Sequence, residues 1–102
     1  MRILLTGGSG FIGKPMIKKL LSSDQQARIL AITRQHNKKL PGNEHIQWIE
    51  GDLSRLSEVS FQIKKFQPEV VIHLAWNGIP NFSPIRCIQN LRLSIDFFAL
   101  IW

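Results

Sequence analysis

The chain alternates short apolar runs with longer segments in which apolar residues recur every three or four positions. The runs suit β-strands that are buried on both faces of a sheet, and they predict strands at residues 2–6, 28–33, 45–50 and 69–74. The recurring positions predict helices at residues 11–22, at about 54–66 and at 85 to about 101. Polar segments with proline and glycine predict loops between residues 35 and 44 and between residues 75 and 84.

Details within the helices lead to three further expectations. If the first helix begins at Phe11, Pro15 lies just past the first turn, where its missing N–H removes a hydrogen bond and would kink the helix. Ser54 or Ser57 would cap the second helix through a side-chain oxygen. The third helix would carry one apolar face, formed by Ile88, Leu91, Ile95, Phe98 and Ile101.

Strands that alternate with helices are typical of the α/β class, in which parallel strands form one sheet with helices on its faces. Right-handed crossovers then predict a doubly wound parallel sheet of four strands in the order 3-2-1-4. The 102 residues contain no internal repeat, low-complexity tract or linker. The prediction is therefore one domain, or part of one, over residues 1–102.

A glycine-rich segment joins the first strand to the first helix. The sequence GSGFIG at residues 8–13 matches the dinucleotide-binding pattern G-x-G-x-x-G, and it follows a strand and opens a helix as that pattern requires. An early glycine allows the tight turn, Gly10 lets the backbone approach a pyrophosphate, and Gly13 lets the helix pack on the strand. The N–H groups and the dipole at the helix start attract the diphosphate. The segment predicts a Rossmann-type domain; the alternative is a glycine turn without a ligand. The predicted contacts are Gly7, Gly10, Phe11, Ile12 and Gly13.

Three motifs in order resemble a known family. The opening TGGSGFIG at residues 6–13 looks like the start of extended short-chain dehydrogenase/reductases, and within these it resembles the NAD-dependent epimerase/dehydratase group, which acts mostly on nucleotide sugars. The sequence GDL at residues 51–53 is similar to the family motif after the third strand. The sequence HLA at residues 73–75 resembles the family motif H-L-A-A after the fourth strand, although Trp76 replaces its last small residue.

The resemblance implies roles for individual residues. Asp52 would hold the adenine, with Leu53 beside it in the same motif. Leu74 and Ala75 would line the cofactor. Asn90 stands at the place of a family asparagine in the last helix.

The end of the second strand bears on the choice between NAD and NADP. Proteins that prefer NAD usually carry an acidic residue about 20 positions past the glycines, where it bonds the ribose 2′-hydroxyl. Here Arg34 follows the strand and no acidic residue is present there. A guanidinium pairs well with a 2′-phosphate, with Lys38 or Lys39 in support, so the sequence favours NADP over NAD. The alternative is that Arg34 is a solvated loop charge.

Composition excludes several other classes. The net charge of +6 comes from lysines and arginines scattered over separate segments, which does not indicate nucleic acid. No apolar run approaches the roughly 18 residues of a membrane helix, and no spacing of His, Cys, Asp or Glu resembles a metal site. The single cysteine, Cys87, cannot form an intrachain disulfide. We expect a cytoplasmic protein without a metal, a membrane or nucleic acid as partner.

The resemblance also implies chemistry that this chain does not carry. The family uses Tyr-x-x-x-Lys with a serine or threonine, and the chain contains no tyrosine, so we predict no catalytic residue. The apolar run FFALIW at residues 97–102 predicts a truncated product without a substrate domain, one that could self-associate there. Three functions stay open. The first is the cofactor part of a nucleotide-sugar epimerase, dehydratase or reductase, which meets its substrate only in a full-length form. The other two are a non-catalytic NADP-binding module and a decayed remnant.

Overall fold

The computed structural model describes residues 1–8, 10, 12–34, 44–75 and 82–101. These residues form four strands, three α-helices and one 3₁₀ helix. In chain order the elements are β1 Arg2–Thr6, α1 Gly13–Ser23, β2 Arg28–Thr33, β3 Ile46–Glu50, the 3₁₀ helix Leu53–Glu58, α2 Ser60–Phe66, β4 Val70–His73 and α3 Pro84–Ile101.

The four strands form one parallel sheet in the order β3-β2-β1-β4. This confirms the predicted α/β class and the strand order 3-2-1-4. β1 lies in the centre, where Ile3 pairs with Ile29 of β2 on one side and with Val70 of β4 on the other. The order reverses between β1 and β4, and in doubly wound sheets ligands bind beyond the carboxyl ends of the strands at that reversal.

Both faces of the sheet are covered, which explains the continuous apolar runs of β1 and β2. Side chains of β1 alternate between the faces: Ile3 and Leu5 pack with Ile17 of α1, whereas Leu4 packs with Ile63 of α2 and Phe97 of α3. All six side chains are buried. At about 1.5–3 kcal/mol for each large apolar side chain removed from water, these two layers supply the main stabilisation of the domain.

Two expectations about helix starts were wrong. α1 begins at Gly13, so Pro15 is its third residue and lies within the first turn, where a helix tolerates proline. Neither Ser54 nor Ser57 caps a helix: the carboxylate of Asp52 caps the 3₁₀ helix, and α2 has no side-chain cap. An aspartate one position before the helix competes well for the free N–H groups because it is charged.

The apolar face predicted for α3 points largely away from the sheet. Its buried side chains are Asn90 and Phe97, on the opposite side of the helix. The residues on the exposed face form what we call the apolar stripe, namely Ile85, Ile88, Leu91 and Ile95. The end of the helix behaves differently, because Leu100 and Ile101 pack against the buried core. The run over residues 97–101 is therefore not an exposed patch as a whole.

Candidate dinucleotide site

Gly7 ends β1 in a conformation and a position that both require glycine. Its φ is +74°, in the left-handed region, and its carbonyl accepts a hydrogen bond from the N–H of Gly10 at 3.1 Å. A Cβ at Gly7 would lie 2.8 Å from the backbone nitrogen of Ala75. The tight turn therefore passes directly against the segment that follows β4.

Gly13 lets α1 start against the same turn. A Cβ there would overlap the carbonyl oxygen of Gly7 and the Cα of Gly8, both of which are backbone atoms. Gly10 differs, because its Cβ would meet only the Gly7 oxygen, at 3.3 Å, among the described residues. The turn role expected of Gly7 and the packing role expected of Gly13 agree with this geometry, and Gly10 is less tightly packed than either.

The start of α1 directly follows this turn. Exposed Ile12 is the capping position, and no described side chain caps the helix there. The Lys14 N–H donates to the Gly10 carbonyl at 3.3 Å and Pro15 has no N–H. A diphosphate would therefore meet the N–H groups ahead of Lys14, where the positive end of the helix dipole suits its charge. Phe11, the remaining residue predicted to contact the ligand here, lies outside the described residues.

In doubly wound sheets the ligand crevice lies at the strand reversal, and here the paired carboxyl ends of β1 and β4 border that position. The Leu74 N–H donates to the Thr6 carbonyl at 3.1 Å and so extends the strand pairing by one residue. The next N–H, of Ala75, donates to the Thr6 side-chain oxygen at 3.2 Å. The two residues predicted to line the cofactor, Leu74 and Ala75, therefore lie beside the glycine turn. Trp76 lies outside the described residues.

Asp52 lies at the same edge of the sheet, after β3. Its Oδ1 accepts two hydrogen bonds from Ser54, from the backbone N–H at 2.9 Å and from the hydroxyl at 2.8 Å. These two bonds are the main cause that lowers the pKa of Asp52; burial opposes them with a smaller effect, and the charges of Arg34 and Arg55 lower the pKa by less still. The carboxylate is therefore ionised at neutral pH, and both hydrogen bonds from Ser54 end on Oδ1. The neighbouring Leu53 packs on the core.

Arg34 is exposed and directly follows β2. The N–H of Gly51 donates to the Thr33 carbonyl at 2.9 Å, which ties the ends of β2 and β3 together. The structure thus brings Arg34 and Asp52 close enough for the charge of one to affect the pKa of the other. Lys38 and Lys39, predicted to support Arg34, lie outside the described residues.

A histidine at the end of an apolar strand is more often a structural residue than a catalytic base, and His73 lies beneath the crevice with both ring nitrogens hydrogen-bonded. His73 Nδ1 lies 2.6 Å from the Thr6 hydroxyl, and Nε2 lies 2.9 Å from the Ser94 hydroxyl of α3. Thr6 and His73 are register partners in adjacent strands, and each is the last residue of its strand. The contact between Thr6 and His73 could have been predicted from the sequence, because polar residues that end two adjacent apolar strands lie next to each other.

Asn90 is buried on the sheet side of α3. Its Nδ2 donates to the carbonyl of Arg86, one turn earlier, at 3.0 Å. Among the described residues, no group of three or more His, Cys, Asp or Glu could hold a metal ion. Of the helices in the described ranges, none is both long and apolar enough to cross a membrane.

The parallel sheet and the glycine turn between β1 and α1 define a Rossmann-type domain of the extended short-chain dehydrogenase/reductase class. The model of the NAD dependent epimerase/dehydratase family matches residues 3–89. The chain belongs to this family, as its motifs indicated.

Relatives and solved structures agree with that assignment. A probable dTDP-glucose 4,6-dehydratase of Sinorhizobium fredii is 32% identical over 80 residues, which cover 74% of this chain and 23% of the relative. A GDP-6-deoxy-D-talose 4-dehydrogenase of Aggregatibacter actinomycetemcomitans is 33% identical over 86 residues, covering 83% of this chain and 24% of the relative. The crystal structure of the enzyme WbmG of Bordetella bronchiseptica, in complex with NAD and UDP, superposes with a TM-score of 0.79 at 27% identity, over 98% of this chain and 33% of WbmG. The chain therefore spans a third or less of the length of these proteins.

Proposed function

We propose that this chain binds an NAD(P) dinucleotide across the carboxyl edge of its sheet. The observation that carries the proposal is the pair of glycines, Gly7 and Gly13, at which any side chain would collide with backbone. A turn with this close packing, at the start of a helix and at the strand reversal, is how such sheets hold a pyrophosphate. Relatives in the family and the NAD complex of WbmG support the same ligand.

The other predicted residues fit the remaining parts of a dinucleotide. With the pyrophosphate at Gly10 and the start of α1, the adenine would extend over the ends of β2 and β3. There Asp52 is ionised, and its Oδ2 could accept a hydrogen bond from the adenine amino group. The nicotinamide would extend toward Leu74 and Ala75 on the β4 side. When bound, the nicotinamide supplies hydride transfer, while these protein groups bind and orient it.

Titration of the purified chain with a small panel of nucleotides tests the proposal. Isothermal calorimetry with NADPH, NADH, ADP and AMP should show the dinucleotides binding more tightly than AMP, because AMP lacks the pyrophosphate. ADP should fall between them. Equal affinity for all four, or binding of none, would refute a dinucleotide site at the glycine turn.

We propose further that Arg34 makes this site favour NADP. Arg34→Ala should weaken NADPH binding about tenfold or more, since it removes a charge-assisted hydrogen bond to the 2′-phosphate, and should leave NADH binding unchanged. Arg55→Ala is a matched control, because Arg55 also lowers the pKa of Asp52 but follows β3 instead of β2. Equal weakening of NADPH and NADH by Arg34→Ala would mean that the arginine does not read the 2′-phosphate.

For the whole protein we propose a cytoplasmic nucleotide-sugar epimerase, dehydratase or reductase in which this segment holds the cofactor. Its relatives with such names and the UDP in the WbmG complex support a nucleotide-sugar substrate. The segment has no tyrosine, so it lacks the family's proton donor. We expect the chain by itself to bind dinucleotide without turnover.

A second candidate is a non-catalytic module that self-associates, and the apolar stripe of α3 favours it. Arg92 and Asp96 are exposed on the same helix, so two antiparallel copies could pair opposite charges beside their stripes. Sedimentation should then show a dimer that Ile88→Glu converts to a monomer. Phe61→Glu, at an exposed apolar residue of α2, should leave the dimer intact. A wild-type monomer at high concentration would exclude this candidate.

A further inference from the structure

His73 connects α3 to the border of the crevice through two hydroxyl groups. Its ring bonds the hydroxyls of Thr6 and Ser94 through its two nitrogens. The ring packs against Phe97 and Phe98, at centroid distances of 5.1 and 5.6 Å, and the two phenyl rings also contact each other. The Thr6 oxygen also accepts the N–H of Ala75. A continuous series of contacts therefore extends from Ser94 through His73 and Thr6 to the backbone of Ala75.

The hydrogen count at Thr6 determines the protonation of the ring. Thr6 is almost fully buried, and within the described part of the chain its hydroxyl has two partners, the Ala75 N–H and His73 Nδ1. If the hydroxyl accepted from both partners, its own buried hydrogen would be left without an acceptor among the described residues, so donation to Nδ1 is the arrangement that satisfies all three groups. The ring then carries its hydrogen on Nε2 and donates it to Ser94. His73 must be neutral to accept at Nδ1.

We propose that His73 is a positioning residue for the dinucleotide: it orients the Thr6 hydroxyl so that the Ala75 backbone is fixed beyond the end of β4. This inference rests on the proposed function. Ala75 is close enough to Gly7 that a Cβ on that glycine would reach its nitrogen, so movement of Ala75 displaces the glycine turn directly. The residue acts through Thr6 and Ala75 and has no assigned contact with the ligand.

Protonation of His73 would break this arrangement. A charged imidazole donates from both nitrogens, so the Thr6 hydroxyl would have to accept from Nδ1 and release its own hydrogen. The groups that face the ring are Thr6 of β1 and, from α3, Ser94, Phe97 and Phe98; no charged side chain in the described ranges contributes to its titration. Burial alone lowers the pKa of His73 below its ordinary value of 6.5. Dinucleotide affinity should therefore fall as the pH is lowered below 6.5.

The first test needs no ligand. Nitrogen NMR of the ¹⁵N-histidine-labelled chain at neutral pH should show His73 as the neutral tautomer with hydrogen on Nε2. Thr6→Val should shift that signal and speed hydrogen exchange of the Ala75 amide, whereas Thr6→Ser should restore both. A neutral tautomer with hydrogen on Nδ1 would overturn the inference.

The second test measures affinity on folded protein. NAD⁺ is the probe, because the 2′-phosphate of NADP⁺ would itself titrate, with a second pKa of about 6 as in other phosphate monoesters. His73→Phe keeps the ring packing and should weaken NAD⁺ about tenfold, since it leaves the Thr6 hydroxyl without its acceptor. His73→Asn retains an acceptor near the Nδ1 position, so it should restore much of the affinity while removing the dependence on pH between 5 and 7. Ser22→Ala, at a serine that bonds its own helix on α1, should change neither quantity.

The outcomes separate the two proposals. Tenfold weakening by His73→Phe, with a pH dependence that His73→Asn removes, supports the positioning role. If the folded His73→Phe variant binds NAD⁺ as wild type does, the positioning role is wrong and the proposed function stands. If wild type binds no dinucleotide at all, the proposed function and this inference both fail.

Discussion

Replacing Gly13 with alanine should abolish dinucleotide binding and lower the free energy of unfolding by about 3 kcal/mol or more, at the upper end of what overpacking costs. The new Cβ would overlap backbone atoms of Gly7 and Gly8, which cannot move aside as a side chain can. Relief requires that the start of α1 shift away from the end of β1. That shift would move the helix N–H groups away from the pyrophosphate position. Urea unfolding followed by circular dichroism, together with calorimetric titration of NADPH, measures both effects.

Gly10→Ala is the matched control for this prediction. Among the described residues its Cβ would meet the Gly7 oxygen at 3.3 Å, a tight contact that a shift of a few tenths of an ångström relieves, so we expect a much smaller loss of stability than in Gly13→Ala. Binding should still weaken, because the methyl group would stand between the backbone and an approaching pyrophosphate. Comparison of Gly13→Ala with Gly10→Ala therefore separates the effect of helix packing on stability from the effect of the methyl group on ligand approach. An unchanged unfolding midpoint in Gly13→Ala would contradict the close packing of α1 on the turn.

Replacing Phe97 with alanine should lower the free energy of unfolding by about 3–5 kcal/mol, the usual cost of deleting a buried phenyl ring. Phe97 is 0% exposed and belongs to the core layer with Leu4 and Leu30, where it is the fully buried side chain by which α3 contacts the sheet among the described residues. Small domains have total stabilities of about 5–15 kcal/mol, so this single change removes a large share. Its ring also packs on His73, so NAD⁺ affinity should decrease as well.

The control for Phe97 is the exposed phenylalanine of α2. Phe61 is 72% exposed, and Phe61→Ala should change the free energy of unfolding by no more than about 0.5 kcal/mol. Both variants lose the same atoms, so their difference measures burial. Equal unfolding midpoints in urea for the two would show that α3 does not pack against the sheet through Phe97.

The sheet was predictable because β1 and β2 are buried on both faces. Such strands need apolar residues at consecutive positions, and the runs at Ile3–Leu5 and Ile29–Ile32 are too short for buried helices. The strand order followed from the handedness of crossovers, which does not depend on side chains. The edge strands β3 and β4 are only partly buried, and their ends were predicted less well. The predicted bounds included His45 before β3, and Glu69 and Leu74 at the two ends of β4, which the structure places outside the strands.

The orientation of α3 and the cap of the 3₁₀ helix were not predictable in the same way. Periodicity identifies residues that share a face of a helix, but it contains no information about which side the sheet occupies. For α3 the buried face carries a polar residue, Asn90, while four aliphatic residues face outward. At the 3₁₀ helix, Asp52, Ser54 and Ser57 are all good capping residues, and only the backbone path decides among them. The roles of the glycines were predictable because steric overlap with backbone depends on the turn alone.

The central position of β1 also affects how the protein is made. β1 leaves the ribosome before the other three strands and can pair with β2, and β2 with β3, while β4 is still being synthesised. The other partner of β1 arrives much later, since Thr6 and His73 are 67 residues apart. The Ala75 contact to Thr6 therefore forms after the pairing of the first three strands. The dinucleotide proposed to bind there would stabilise the sheet only once β4 has paired with β1, so it would not guide the earlier steps of folding.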